Sequence, residues 1–306
     1  METICVTGGN GLLGSKVIAA AQHAYHLVSI DLADRPLNPY GNMEYVQADI
    51  CDSKAIHRAI NRFNPSAVIH TAAFTHVDRC ETERAQAWQV NVEGAGNVAR
   101  ACRSAAAKMI HVSTDYVFDG KNGPYSETDE PNPISYYGLT KLEGERAVLE
   151  NHDNVAIART MVLYGFVPGV RLNFITWLIE ALERGEKVSI VTDQYGNPTL
   201  ADDLAEALVL LYEKDRNGIY HTAGNDWLNR YDTALLVADV FQLDACLIRK
   251  TTSARLRQPA PRPMQGGLVS DKLARETGFI FSDLHKGLEK LKEQMMKTPA
   301  SLKQTE

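Results

Sequence analysis

Short apolar runs alternate with longer amphipathic stretches along the first 165 residues. ICVTG (4–8), LVSID (27–31), VQAD (46–49), AVIHTAA (67–73), MIHVST (109–114) and VAIART (155–160) read as strands, most of them apolar throughout, as strands buried on both faces are. Between them, 12–24, 53–63, about 82–106 and 134–150 carry helical periodicity. This order predicts right-handed crossovers and an α/β fold, a Rossmann-type doubly wound parallel sheet covered on both faces. After about residue 165 the rhythm changes. Helices are expected near 171–185, 201–213, 231–242 and 283–296, strands at 187–191 and 219–222, and a Pro- and Gly-rich loop at 258–267. The pattern divides the chain into a first domain over 1–165, a smaller interleaved α/β lobe over 166–296, and a polar tail over 297–306 that is expected to fray.

Composition removes several classes of protein. The chain has 306 residues, 44% hydrophobic and 23% charged, which suits a globular core and excludes disorder and coiled coil. Its net charge of −6 disfavours a nucleic-acid partner, since phosphate neutralisation needs a basic surface. No apolar run reaches the roughly 18–20 residues of a membrane span, so no membrane partner is expected. METICVTGG at the N-terminus opens on a strand and has no secretory pattern. Cys5, Cys51, Cys80, Cys102 and Cys246 are scattered, which argues against a disulfide framework or a cysteine zinc site and for a cytoplasmic location. His23, His26 and His57 lack ligand spacing, and no metal is expected.

Between the first strand and first helix lies Thr7-Gly8-Gly9-Asn10-Gly11-Leu12-Leu13-Gly14. Gly8 permits a tight turn, Gly11 lets backbone amides approach a pyrophosphate, and Gly14 allows close helix–strand packing. The helix N-terminus then favours the dianion, with Asn10 and Leu12 in the same turn. Residues 1–165 are therefore expected to form a dinucleotide-binding domain, and 166–296 the main substrate lobe. Asp31 ends the second strand, seventeen residues after Gly14, where a carboxylate accepts ribose hydroxyls and repels a 2′-phosphate. NAD is favoured on this ground, while Arg35 nearby keeps NADP open. Asp49, at the end of the third strand, is placed toward the adenine edge.

Tyr137 and Lys141 lie four apart on a predicted helix and share one face. A tyrosine has an ordinary pKa near 10, and an adjacent ammonium favours the phenolate. Bringing it down to about 7 requires roughly 4 kcal/mol of differential interaction. The fifth strand ends in Ser113-Thr114-Asp115-Tyr116, and ligands of doubly wound sheets collect beyond such strand ends. Ser113 and Thr114 point to opposite faces, so one of the two hydroxyls is expected in the site. His70 reads as a core histidine, Glu143, Glu145 and Arg146 as a solvated helix face, and Trp88, Trp177 and Trp227 as packing residues. Arg249, Lys250, Arg255, Arg257 and Arg262 form a basic stretch suited to a diphosphate-linked substrate, with Arg262 the best single candidate because Pro263 restrains it.

Together these motifs resemble the extended short-chain dehydrogenase/reductases, over essentially the whole chain. Within them the chain is most similar to the dTDP-4-dehydrorhamnose reductase group, through AAFTHVDRCE (72–81), STDYVFDG (113–120), PYSETDEPNPISYYGLTKLEGE (124–145) and VTDQYGNPT (191–199). The resemblance implies catalytic roles for Thr114, Tyr137 and Lys141. Tyr137 would protonate a substrate ketone, Thr114 polarise it, and Lys141 tune the phenol and hold the nicotinamide ribose. It implies cofactor contacts at Ile50, Ala72 and Ala73, and a sugar side formed by Thr75, Val77, Asp115 and Tyr116. The expected activity is NAD(P)H-dependent reduction of a 4-keto sugar carried on a nucleoside diphosphate. A sugar-nucleotide epimerase with retained NAD, and a non-catalytic NAD(P)-binding regulatory subunit, share the same motifs and stay open. A dehydratase is disfavoured, because Asp115-Tyr116 stands where those relatives place Asp-Glu. Family members form homodimers, but no interface is legible in the sequence. Met161-Val162-Leu163 occupies a stretch where the group usually places a sugar-contacting tryptophan, and Met264-Gln265-Gly266-Gly267 follows Arg262-Pro263 in place of polar residues. The sugar and the base are left open by these departures.

Overall fold

The computed structural model describes residues 1–37 and 43–298. The first half runs β1 (Thr3–Thr7), α1 (Leu12–Ala21), β2 (His26–Asp31), β3 (Met43–Gln47), α2 (Ser53–Phe63), β4 (Ala67–His70), α3 (Val77–Thr82) and α4 (Arg84–Trp88). A π-helical segment (Gln89–Gly94), α5 (Ala95–Ser104), β5 (Lys108–Thr114), α6 (Tyr136–Asn151) and β6 (Val155–Thr160) complete it. The second half runs β7 (Leu163–Tyr164), α7 (Phe174–Glu183), β8 (Val188–Val191), β9 (Tyr195–Gly196), β10 (Thr199–Leu200), α8 (Ala201–Glu213) and β11 (Gly218–His221). It ends with β12 (Leu228–Asn229), α9 (Arg230–Phe241), β13 (Ile248–Thr251), α10 (Ser253–Leu256), α11 (Asp271–Thr277) and α12 (Leu284–Lys297).

Seven parallel strands form the main sheet in the order β11-β6-β5-β4-β1-β2-β3. Strand order reverses at β1, between β4 and β2, and this switch point opens a crevice beyond the carboxyl ends. β4 and β6 are buried at every position and β1 and β5 at all but one, because helices cover both faces. On one face Val17 and Ile18 of α1 pack with Leu204 and Leu208 of α8. On the other, Ile56 and Ile60 of α2 pack with Val98 and Cys102 of α5. A separate core joins Ile175 and Leu178 of α7, Val237 of α9, and Leu288 and Leu291 of α12 to β8 and β13.

The chain after residue 165 also completes the first sheet. β11 pairs with β6, and α8 covers α1. Several local expectations are corrected. The third strand lies at Met43–Gln47, and Ala48 and Ile50 belong to the turn after it. β4 stops at His70, so Thr71–Ala73 leave the ladder at the crevice. The single helix expected over 82–106 is broken into α3, α4, the π segment and α5. The wider π turn aims Asn91 inward, where it accepts from the Phe74 amide (2.8 Å) and donates to the Phe74 carbonyl (3.1 Å). The two-residue pairs β7–β10 and β9–β12 are too short to show a period, and β13 is a short IRKT strand beside β8 that buries only Ile248. Of the expected tail, 299–306 lie outside the described residues.

Candidate active site

A cavity of about 710 Å³ occupies the crevice. Gly8, Gly11, Leu12 and Gly14 line its floor, Asp31, Asp49 and Ile50 one end, and Ala72, Ala73 and Thr75 one wall. Thr114, Tyr137 and Lys141 line the same cavity. The glycines are there for steric reasons. Gly8 has φ +74, and a Cβ on it would lie 2.8 Å from the Ala72 backbone. A Cβ on Gly14 would lie 2.2 Å from the Gly8 carbonyl oxygen. Gly14→Ala is therefore expected to destabilise the fold by about 1–3 kcal/mol and to abolish dinucleotide binding, as thermal unfolding and titration with NADH would read. α1 has Gly11 as its N-cap and no side-chain cap, so its positive end faces the cavity unoccluded.

Asn10 does not line the cavity. Its side chain ties down the loop after β2, donating to the Arg35 carbonyl (3.0 Å) and accepting from the Leu37 amide (2.8 Å). Asp31 accepts from the Asn10 amide (3.0 Å) and the Ala33 amide (3.3 Å), which fixes its carboxylate at the cavity edge. Arg35 is exposed beside it. Asp49 accepts from the Cys51 amide (2.8 Å).

The two hydroxyls at the end of β5 diverge. Ser113 donates to Glu145, whereas Thr114 donates to Asp115 (3.2 Å) and accepts from the Tyr116 amide (3.3 Å). Ser135 caps α6 through the Gly138 amide (3.1 Å). Gly138 and Gly144 let α6 lie close, since a Cβ would come within 2.1 Å of the Tyr116 carbonyl oxygen and 2.3 Å of that of Asn91. Tyr137 is buried, with its ring edge-on to Tyr116 at 5.4 Å. Burial pushes its phenol well above the ordinary value, and the adjacent Thr114 hydroxyl pulls the other way. The expected depression of this phenol by Lys141 is not found. Lys141 donates to the Val112 carbonyl (2.8 Å), and burial lowers its own pKa to about 8. Tyr137 thus stays a neutral phenol at physiological pH, the form a proton donor needs.

Beneath this group the structure overturns another expectation. Glu145 is not on a solvated face: it is buried and makes a bidentate pair with Arg159, at 2.9 and 2.7 Å. α6 turns Glu145 toward the sheet while Glu143 and Arg146 pair on the outer side. His70 is a buried core residue, bonded to Thr7 (2.6 Å) and stacked on His111 at 5.2 Å. Burial lowers its pKa to about 3, so the ring is neutral.

Of the residues expected on a sugar side, Thr75 lines the cavity, whereas Val77, Asp115, Tyr116 and Arg262 lie outside its lining. Asp115 is buried, and desolvation pushes its carboxyl up to about 7. Tyr116 and Asp115 follow β5 in a 3₁₀ turn, and Val77 opens α3. Of the basic stretch, Arg249, Lys250, Arg255 and Arg257 are exposed, whereas Arg262 turns inward and pairs with Asp78 at 3.0 Å. Trp177 and Trp227 are part-exposed packing residues: Trp177 lies against Phe174 at 6.2 Å, and Trp227 stacks on Tyr195 and donates to the Gly266 carbonyl (2.7 Å). Sequence reasoning missed Phe74, Gln86 and Val112 in the lining, and Arg230 beside Asp115 and Tyr116. Met161, Val162 and Leu163, noted as a departure, all line the cavity, with Val162 held at φ +43. Among the described residues no group of three His, Cys, Asp or Glu is placed to hold a metal, and no helix is long and apolar enough to cross a membrane.

A glycine turn at a sheet switch point, with a hydroxyl, a buried phenol and an amine facing it, defines a dinucleotide-binding protein of the short-chain dehydrogenase/reductase class. The chain belongs to the family described as RmlD substrate binding domain, which matches residues 1–297. It is 35% identical over 280 residues to dTDP-4-dehydrorhamnose reductase of Mycobacterium tuberculosis, covering 89% of this chain and 86% of that protein. It is 34% identical over 277 residues to methionine adenosyltransferase 2 subunit beta of Rattus norvegicus, covering 88% and 81%. Among solved structures, dTDP-4-dehydrorhamnose reductase of Bacillus anthracis in complex with NADP aligns with a TM-score of 0.84 at 29% identity, over 96% of this chain and 99% of that one. MoeE5 in complex with UDP-glucose and NAD aligns with a TM-score of 0.82 at 26% identity, over 96% and 99%.

Proposed function

We propose that the protein is an NAD(P)H-dependent reductase of a 4-keto sugar carried on a nucleoside diphosphate. The observation that carries this reading is the meeting of Thr114, Tyr137 and Lys141 at one cavity with the glycine turn. The cavity suits a dinucleotide: Gly8 and Ala72 form a cradle that a Cβ would fill, α1 offers uncapped amides, and Asp31 holds a fixed carboxylate. A reduced nicotinamide, when bound, supplies the hydride. The chain's residues do the rest. Negative charge developing on the ketone oxygen is met by the Thr114 hydroxyl and protonated by Tyr137. Lys141, whose amine donates to the Val112 carbonyl at the cavity wall, would hold the ribose. Residues 1–165 seat the dinucleotide, and 166–296 close over a sugar bounded by Thr75, Val77, Asp115, Tyr116 and Arg262.

A NADH and NADPH oxidation assay against a panel of 4-keto sugar nucleotides tests the reading; a panel with no turnover defeats it. Asp31 favours NAD, and Asp31→Ala is expected to shift the ratio of kcat/KM toward NADPH by about tenfold, equal to about 1.4 kcal/mol of relieved repulsion. A second reading, a non-catalytic dinucleotide-binding subunit, is supported by the similarity to methionine adenosyltransferase 2 subunit beta. Cofactor binding without turnover, together with stable complex formation with an adenosyltransferase, would favour it. Protein purified with tightly held NAD, and no net cofactor consumption, would favour an epimerase.

A further inference from the structure

Two guanidinium groups in different states lie near Tyr116, just outside the lining of the cavity, where the β9–β12 pair and Gly266 approach Asp115. Arg262 is neutralised by Asp78 at 3.0 Å and also donates to the Ala260 carbonyl (3.0 Å). Arg230 has no carboxylate within ion-pair distance among the described residues. Its Nη1 is sealed from solvent and has no hydrogen-bond partner. The group lies over the Phe174 ring at 4.9 Å, and its backbone amide is satisfied by the Gln194 carbonyl (3.0 Å). It is not needed as a cap, because Asn229 caps α9 through the Asp232 amide (2.8 Å), and the Asp232 carboxylate is engaged with Asn229 (2.6 Å). The titratable groups near Arg230 are Tyr116 and Asp115, which favour its charge, and Arg262, which opposes it. Asp115 is the one carboxylic acid among them; its Oδ1 accepts from the Thr114 hydroxyl, and it makes no ion pair with Arg230.

Arg230 is half-buried as a whole, but a guanidinium nitrogen sealed from water without a partner is costly unless something brings the missing oxyanion. The α9 N-terminus adds positive potential at the same place. Arg230 therefore has a fork of donors and a charge ready beside the residues that follow Thr114. We propose that Arg230 is the anion receptor of this cleft, binding an oxyanion of the substrate, either its diphosphate or a carboxylate on its sugar, and so determining which sugar nucleotides are accepted. This rests on the reading that the cleft takes a sugar nucleotide, but not on turnover.

The test is calorimetric titration of the full chain, saturated with NADH, using dTDP, UDP, UDP-glucose and UDP-glucuronate as probes. Arg230→Gln is expected to weaken binding about tenfold or more. If the diphosphate is the partner, every probe that binds weakens together. If a sugar carboxylate is the partner, the loss is confined to UDP-glucuronate. Arg230→Lys keeps the charge without the fork and is expected to lose about three- to tenfold, which carries the test if the glutamine variant does not fold. Unchanged NADH affinity and melting temperature separate receptor from structural residue. Probe affinities within twofold of wild type in both folded variants overturn the proposal and leave the reductase reading intact. Wild-type protein that binds NADH but none of the probes overturns both.

Discussion

Replacing Tyr137 by phenylalanine is expected to lower kcat about a thousandfold, in the range general acid catalysis contributes, while NADH affinity stays within about a factor of two. The ring is buried against Tyr116, so phenylalanine fills the same space and the fold is kept. What goes is the single phenolic proton, in a cavity where burial holds that proton on the oxygen. Thr114→Val would leave the proton donor but remove the hydroxyl beside it, and a smaller fall is expected. The pH profile offers a separate check on the same group of residues. Lys141, lowered to about 8 by burial, is charged below that pH and neutral above it, whereas the phenol keeps its proton far higher. The wild-type rate should therefore decline as pH rises through about 8, with the decline set by the amine. Steady-state kinetics and NADH titration read both effects. A Tyr137→Phe variant with undiminished kcat would remove the proton donor from the proposed mechanism.

Glu145→Ala is expected to lower stability by about 3–5 kcal/mol, the usual loss when one member of a buried ion pair is removed. Arg159 would be left charged, buried on the sheet, with one nitrogen already lacking a partner. Its remaining neighbours are the Phe118 ring at 5.3 Å and Ser113, its partner across the β5–β6 ladder, and neither neutralises it. Urea denaturation with an unchanged m-value would measure the loss. Glu145→Leu combined with Arg159→Met should recover most of it, because the desolvation penalty of both charges disappears together. A loss below about 1 kcal/mol in Glu145→Ala would mean that Arg159 escapes to water and that the pair does not anchor α6 to β6.

The outcome for Glu145 shows where reading the chain alone fails. Glu143, Glu145 and Arg146 look alike in sequence, all charged and all on one helix. Their fates differ because Gly138 and Gly144 bring α6 so near its neighbours that one helix face has no water, and β6 places Arg159 there. The same holds for the arginines. The basic run at 249–262 stands out in the sequence, yet four of its members are exposed, while Arg230, outside that run, lies near Asp115 and Tyr116 at the start of α9.

Local pattern alone determined the alternation of strands and helices, the buried character of the central strands, and the glycine turn after β1. Each depends on neighbours a few residues away: a period, a missing Cβ, a dipole at a helix start. The pairing of Tyr137 with Lys141 on one helix face is of the same kind. Tertiary structure decided the rest. It gave Ser113, which lines the cavity beside Thr114, a buried partner in Glu145, set the phenol's protonation through desolvation, broke one long helix so that Asn91 could hold the Phe74 backbone, and left Nη1 of Arg230 without a partner. These are matters of which distant groups share a dry space, and burial and charge pairing act through space instead of along the chain.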